Sequence, residues 1–237
     1  MTDPTQTAGV LNPGAMQVDV QRHPVVVRLT HWFMAFAILV MIGSGWRIYN
    51  ASPIFDFRFP EPLTLGGDVE AALARHNDPG VASAIAWHFA GMWILAAAYL
   101  LFMLWGLISG HFWRDFLPVG PRAFISDFIA AARFQLPHRL GTYNAVQKVF
   151  YWGVLALVAV MLVSGIAIWK PVQTYPLEVL FGGFQGARII HFLGMAGIVA
   201  FLLVHITLVA LVPTTLVAMV VGQASAPAHT SHPEAGA

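Results

Sequence analysis

The sequence predicts an all-α integral membrane protein whose four transmembrane helices form an up-down bundle. Hydrophobic residues make up 58% of the 237 positions and charged residues 10%, whereas soluble domains carry about 25% charged residues. A hydrocarbon core about 30 Å thick is crossed by roughly 20 apolar residues in a helix. Four stretches are long and apolar enough to cross it, at residues 26–48, 82–109, 146–169 and 188–212.

The composition also excludes several kinds of chemistry. The chain has no cysteine, which removes disulfides, iron–sulfur clusters, thiolate catalysis and covalently attached c-type haem. Its net charge is +1, with 12 scattered Lys and Arg residues, so no basic field points to nucleic acid. Histidine is then the remaining soft metal ligand.

The four stretches lie in one membrane domain, predicted at residues 22–222. Residues 1–21 are polar and expected to be disordered. They lack the cationic and apolar series of a cleaved signal peptide, so the first span is expected to direct insertion. Residues 223–237 are rich in Ala, Pro, Ser and His and are also expected to form a disordered tail.

Positive charge predicts the orientation of the bundle. The segment before the first span and the loop between the second and third spans hold seven Lys and Arg, against five in the other two loops. Because Lys and Arg are enriched on the cytoplasmic side, both termini are predicted to be cytoplasmic. Residues 121–134 have apolar side chains at helical spacing and are expected to lie along the same interface.

The predicted spans contain four histidines and no carboxylate. Ionisable groups inside a membrane are rare and indicate a functional site by default. His31 and His88 lie near the starts of the first and second spans, and the fourth span holds both His191 and His205. These last two are 14 residues apart, which is about 21 Å along a helix and within about 40° of the same face.

Successive spans of an up-down bundle run in opposite directions, so His31 lies at the level of His205 and His88 at the level of His191. We therefore predict the pairs His88–His191 and His31–His205. Two facing imidazoles in an apolar bundle suit an iron porphyrin, whose two axial positions they would fill. The sequence thus predicts two b haems with bis-histidine iron, which leaves no open site for oxygen. A lone histidine at a span end can instead bond to a backbone carbonyl, and zinc is less favoured because it needs four ligands around one point.

Other candidate haem-binding residues follow from their positions. Gly45 lies 14 residues after His31, and Gly106 lies five helical turns after His88. Each glycine is expected to leave flat space for a porphyrin or, alternatively, to permit close helix packing. Four cations at span ends are expected to pair with haem propionates, or else to extend into the interface as ordinary snorkelling side chains. These are Arg28, Arg47, Lys170 and Arg188.

Short motifs around the histidines resemble a known family. They are R-L-T-H-W around His31, W-H-F around His88, and R-I-I-H-F around His191 with His205 14 residues further on. Their order and spacing are similar to those of the bacterial cytochrome b561 and nickel–iron hydrogenase cytochrome b superfamily. The resemblance covers roughly residues 22–222 and implies four core spans and two bis-histidine b haems, paired as above.

Three further motifs resemble one branch of that superfamily, the membrane subunit of thiosulfate reductase. They are Y-N-A-V-Q-K, S-G-I-A-I-W-K-P-V-Q and F-G-G-F-Q-G-A-R-I-I-H-F. Members of this branch often accompany a molybdopterin-dependent oxidoreductase. The resemblance therefore implies a periplasmic redox partner and a quinone substrate, either ubiquinone or menaquinone, and it is compatible with a homodimer.

Three classes of function follow. The leading hypothesis is an electron-transfer subunit between the quinone pool and an extramembrane oxidoreductase. The alternative is a self-sufficient superoxide:ubiquinone oxidoreductase, like some members of the superfamily, which needs a cationic outer funnel that Arg47, Lys170 and Arg188 could supply. A transporter or haem-free scaffold is disfavoured, because pumps usually place Asp or Glu within the membrane.

Overall fold

The computed structural model describes residues 20–66, 79–117, 120–133 and 144–225. Short elements flank and join the long helices. In chain order the elements are β1 (Val20–Arg22), α1 (Val25–Ala51), a 3-10 turn (Glu61–Leu63), α2 (Pro79–Ile108), a π-helical turn (Phe112–Phe116), α3 (Pro121–Ala132), α4 (Ala145–Trp169), α5 (Tyr175–Leu180), α6 (Gly183–Leu211), α7 (Pro213–Val221) and β2 (Gln223–Ser225).

Within the described ranges, four helices, α1, α2, α4 and α6, are long and apolar enough to cross a membrane. They confirm the predicted four-span helical membrane protein, and their ends differ from the predicted ones by only a few residues. Large apolar side chains such as Phe36, Leu107 and Leu203 are exposed on the outer surfaces of these helices. Apolar exposure on this scale is typical of a surface that faces lipid or a partner.

Capping and turn residues set the ends of several helices. Asn144 begins α4 with a capping box: its side chain accepts from the Gln147 backbone N–H at 2.8 Å, and the Gln147 side chain accepts from the Asn144 N–H at 3.1 Å. Gly182 and Gly183 have φ angles of 82° and 85°, a region that glycine enters at little cost, and they turn the chain from α5 into α6. Pro213 lacks the N–H that would continue α6, so α7 starts as a separate helix.

The two ends of the membrane domain are joined by a short antiparallel pairing that the sequence analysis did not predict. In it, Val20 lies opposite Ser225, and the His23 N–H donates to the Gly222 carbonyl at 3.0 Å. The strands include residues 20, 21 and 223–225, which were assigned to the terminal segments. The remainder of those segments lies outside the described residues.

The centre of the bundle is an apolar layer built by all four long helices. α1 packs mainly against α2, and α4 packs mainly against α6. These helix pairs form two hairpins, α1–α2 and α4–α6. The two hairpins share a core of Ala37, Leu95, Val158, Met161 and Ile198. On α6, Ile198 is seven residues from His191 and seven from His205, so this core separates the two histidine levels.

The segment that follows α1 folds back against the end of that helix. The Asn50 side chain donates to the Phe59 carbonyl and accepts from the Phe59 N–H, both at 2.9 Å. The Tyr49 hydroxyl lies within hydrogen-bonding distance of the Phe55 backbone, and the rings of Phe55 and Phe59 also pack near Phe192 of α6. Residues 52–60 therefore form an anchored aromatic loop at this end of the bundle.

The predicted helix after the second span is also present, as α3. The Asp127 carboxylate on α3 accepts from the Ala145 N–H at 2.9 Å, which ties this helix to the start of α4. Ile125, Phe128 and Ile129 on α3 are exposed, as the apolar side chains of an interfacial helix would be.

Candidate metal centres

The structure brings the four span histidines together as two facing pairs. His31 of α1 and His205 of α6 have ring centres 6.2 Å apart with an interplanar angle of 55°. His88 of α2 and His191 of α6 have ring centres 6.3 Å apart at 62°. We call the first the terminal pair, because it lies at the end that carries β1 and β2, and the second the loop pair, because it lies at the end that carries the aromatic loop.

The separation within each pair fits a single metal ion between two imidazoles. Metal–nitrogen bonds of about 2 Å on each side, with about 1 Å from each nitrogen to its ring centre, place the two ring centres about 6 Å apart. Among the described residues no group of three or more His, Cys, Asp or Glu side chains could hold a metal ion. The donor set therefore suits iron in a porphyrin, which supplies its own equatorial nitrogens, better than a tetrahedral zinc site.

Two buried serines that were not among the predicted site residues contact the loop pair. The Ser44 hydroxyl of α1 lies 3.0 Å from His88 Nδ1, and the Ser164 hydroxyl of α4 lies 3.0 Å from His191 Nδ1. The sequence carries a signal for both, because each serine directly precedes a glycine in a span. Only the packing of α1 on α2 and of α4 on α6 shows which histidine each serine meets.

The glycines that follow these serines lie against the same two imidazoles. A Cβ atom added to Gly45 would lie 3.3 Å from His88 Cε1, and one added to Gly165 would lie 3.3 Å from His191 Cε1. Gly45 thus leaves room for a histidine ring at the loop-pair level. Gly106, which was expected to face a haem, lies instead against the buried ring of Phe112, with which an added Cβ would overlap.

Two of the predicted propionate partners lie at the loop end with contacts of their own. Arg47 of α1 is fully buried, and its guanidinium lies 3.6 Å from the Glu61 carboxylate, whose side chain is 44% exposed. Arg188 of α6 donates to the backbone carbonyl of Ser52, just beyond α1. A buried cation is costly unless it is compensated, so Arg47 is held at a place where negative charge is favourable.

The other two predicted partners also have contacts. Lys170, at the end of α4, places its ammonium 4.9 Å from the ring centre of Trp169. Arg28 donates to the carbonyls of Met219 and Val220 near the end of α7, where a helix terminus favours a cation. Lys170 therefore lies at the loop end and Arg28 at the terminal end.

His111, in the segment between α2 and α3, is partly buried. It directly precedes the π-helical turn, and its ring centre lies 5.1 Å from that of Trp105. His111 belongs to neither facing pair and serves as a comparison residue for them.

An apolar four-helix bundle with two facing histidine pairs defines a multi-pass membrane protein of the cytochrome b class. Residues 22–222 match the family described as prokaryotic cytochrome b561. The chain belongs to this family, which confirms the resemblance seen in its motifs. Membership implies that it binds haem b and acts in electron transfer as a membrane cytochrome.

Curated relatives agree with this assignment. Over 201 residues, 84% of this chain and 96% of the relative, it is 42% identical to a protein of Azospira oryzae described as "Putative protein-methionine-sulfoxide reductase subunit YedZ1". It is 32% identical over 227 residues, 90% of each chain, to the cytochrome b556(fdo) subunit of formate dehydrogenase from Escherichia coli K12. It is 27% identical over 198 residues, 76% of this chain and 73% of the relative, to a protein of Bradyrhizobium diazoefficiens described as "Probable Ni/Fe-hydrogenase B-type cytochrome subunit".

Proposed function

We propose that this chain is a di-haem cytochrome b that carries electrons across the membrane between the quinone pool and an extramembrane oxidoreductase. The single observation that carries the proposal is the presence of two facing histidine pairs at opposite ends of one bundle. His191 and His205 are separated by about 21 Å along α6, most of the roughly 30 Å hydrocarbon core. Two redox centres at these levels would divide the crossing into short steps.

In this proposal each haem has one ligand from α6 and one from the first helical hairpin. His31 and His205 hold the terminal haem, and His88 and His191 hold the loop haem. When bound, haem iron would supply a one-electron redox couple, and the two histidines of each pair would be the residues that hold it. The apolar core between the two levels separates the centres, and the histidines fix their depth.

The cations at the span ends are proposed to offset the propionate charges. Arg47, Lys170 and Arg188 lie at the loop end and Arg28 at the terminal end, so each level has at least one cation. The full burial of Arg47 supports a role for this residue, because an arginine removed from solvent gains most from an additional anionic partner.

The partner is proposed to be a periplasmic molybdopterin-dependent oxidoreductase that exchanges electrons at the loop end. Relatives described as subunits of a methionine-sulfoxide reductase and of formate dehydrogenase support an oxidoreductase partner. The Lys and Arg distribution supports cytoplasmic termini in a bacterial inner membrane. Ubiquinone or menaquinone is the proposed second redox partner.

Haem content tests the centres directly. We expect the purified wild-type protein to show b-type bands in a reduced-minus-oxidised spectrum and to contain two haems per chain. His31→Ala or His205→Ala should remove the terminal haem alone, and His88→Ala or His191→Ala the loop haem alone. His111→Ala is the matched control and should retain both. Loss of both haems from every single variant that still folds would contradict the two-level arrangement.

Co-purification and quinol reduction test the partners. We expect a molybdenum-containing oxidoreductase to co-purify from native membranes, and a quinol analogue to reduce the haems. The superoxide:ubiquinone alternative loses one of its three proposed funnel cations, because the buried Arg47, paired with Glu61, does not present its charge to solvent. Superoxide-driven quinone reduction by the purified chain alone would favour that alternative.

A further inference from the structure

Buried serines contact both imidazoles of the loop pair, as described above for Ser44 and Ser164, and both side chains are 0% exposed. At the terminal pair, His31 Nδ1 has no hydrogen-bond partner within the described part of the chain. We infer that Ser44 and Ser164 are positioning residues that hold His88 and His191 in one tautomer and strengthen them as ligands for haem iron. This inference rests on the proposed function.

The tautomer follows from the single proton of each hydroxyl. Ser44 Oγ donates to the Val40 carbonyl at 2.7 Å, and Ser164 Oγ donates to the Val160 carbonyl at 2.6 Å. A serine hydroxyl has one hydrogen to donate and two lone pairs that accept. With its hydrogen directed to the helix carbonyl, each hydroxyl accepts from its histidine, so the Nδ1 atom carries the hydrogen. The Nε2 atom then keeps its lone pair for a metal.

The same arrangement occurs on two different helices. In α1 and again in α4, a serine bonds to the imidazole nitrogen while the next residue, Gly45 or Gly165, lets the ring approach the helix backbone. The hydroxyl, together with the Met41 or Met161 backbone that also hydrogen-bonds to the ring, sets the rotation of the ring, and the glycine sets its distance. Each Ser–Gly pair thus contacts and orients a histidine of the neighbouring helix.

This arrangement changes the chemistry of the loop haem as well as its geometry. A histidine that donates its other ring N–H to an acceptor is a more basic ligand. A more basic axial ligand stabilises ferric over ferrous iron and so lowers the reduction potential, which depends on hydrogen bonding around the iron ligands. The serines are therefore expected to lower the potential of the loop haem and leave that of the terminal haem unaffected.

The test is a potentiometric titration of the full-length protein with both haems bound. Ser44→Ala and Ser164→Ala should each raise the reduction potential of the loop haem. The expected rise is at most about 59 mV, which for one electron is a tenfold change in the reduction equilibrium constant. The terminal haem should not shift. A titration of His205→Ala, which retains only the loop haem, shows which of the two redox transitions belongs to the loop haem.

Two controls separate the hydroxyl from the volume of the side chain. Ser44→Thr and Ser164→Thr keep the hydroxyl and should restore potentials close to wild type. Thr30→Val removes another buried hydroxyl, which bonds to the Val26 and Val27 carbonyls of its own helix, and should leave the loop-haem potential unchanged. Loss of the loop haem in the alanine variants, with retention in the threonine variants, would also support positioning by the hydroxyl.

Other outcomes overturn the inference. Unchanged loop-haem potentials in both alanine variants, an equal shift of both haems, or haem loss in the threonine variants as well would each show that the hydroxyls do not tune this centre. A wild-type protein without two b haems would instead contradict the proposed function itself. The two failures are therefore distinguishable in the same preparation.

Discussion

Gly45 lies directly against the imidazole of His88, so that an added Cβ atom would be 3.3 Å from His88 Cε1. That distance leaves space for the ring and little else. The contact joins α1 to α2 at the level of the loop pair, and Gly165 makes the corresponding contact with His191 in the second hairpin.

A large side chain at position 45 should therefore displace His88. We expect Gly45→Leu to lose the loop haem and retain the terminal haem, because the added atoms would occupy the volume of the imidazole. Haem content per chain is the measurement. Gly153→Leu is the control on a span, since a Cβ added there meets nothing within 4 Å, and it should keep both haems. A Gly45→Leu protein with two haems would contradict the predicted role of this contact.

The buried charge of Arg47 should influence the loop haem more than the terminal haem. Arg47→Met keeps the volume of the side chain but removes a positive charge that favours the ferrous state. We expect the loop-haem potential to fall and the terminal-haem potential to stay unchanged in a potentiometric titration. Arg58→Met, which removes an exposed cation from the aromatic loop, should have a smaller effect. Equal effects of the two substitutions would show that burial of the charge is irrelevant.

The aromatic loop should depend on Asn50. Asn50→Ala leaves both the N–H and the carbonyl of Phe59, which are partly buried, without their partner and so weakens the hold on the loop. We expect faster limited proteolysis within residues 52–60 of the purified protein. Asn144→Ala removes the cap of α4 and should not increase cleavage at this loop, which makes it a control for general loss of stability.

Stability at acidic pH should depend in part on His23. Burial, aided by the nearby charges of His111 and Arg28, lowers the pKa of His23 below 6.5. The unfolded chain then binds this proton more readily than the folded chain, so stability falls as pH decreases below about 6.5. We expect thermal unfolding in detergent to show a smaller loss of stability between neutral and acidic pH for His23→Gln than for wild type. An identical pH dependence in the two proteins would contradict this.

The helices and the levels of the histidines could be predicted from the sequence because both depend on local properties. Hydropathy identifies a span without reference to its neighbours, and the constant rise of a helix converts the 14 residues between His191 and His205 into a depth. Because successive spans run in opposite directions, His31 and His88 are then assigned to opposite ends of the bundle. The structure has all four spans and brings the histidines together in these pairs.

Contacts between helices were harder to predict. Ser44 and Ser164 resemble any small residue in an apolar span, and the notion that Gly106 faces a haem rested on turn counting along one helix. The structure places Gly106 against Phe112, which reaches α2 from the π-helical turn beyond it. Helical phase alone does not show which neighbour fills the space beside a glycine.

The sequence by itself determined that this chain enters a membrane, crosses it four times and carries ligand-type histidines at two depths, because apolar length and helical rise are properties of single segments. Tertiary structure alone decided that Ser44 meets His88, that Ser164 meets His191, and that Arg47 is buried beside Glu61. These contacts form within each helical hairpin and between α1 and the 3-10 turn, and they depend on how side chains from separate segments fit together. Such packing is set by the shapes of several helices at once.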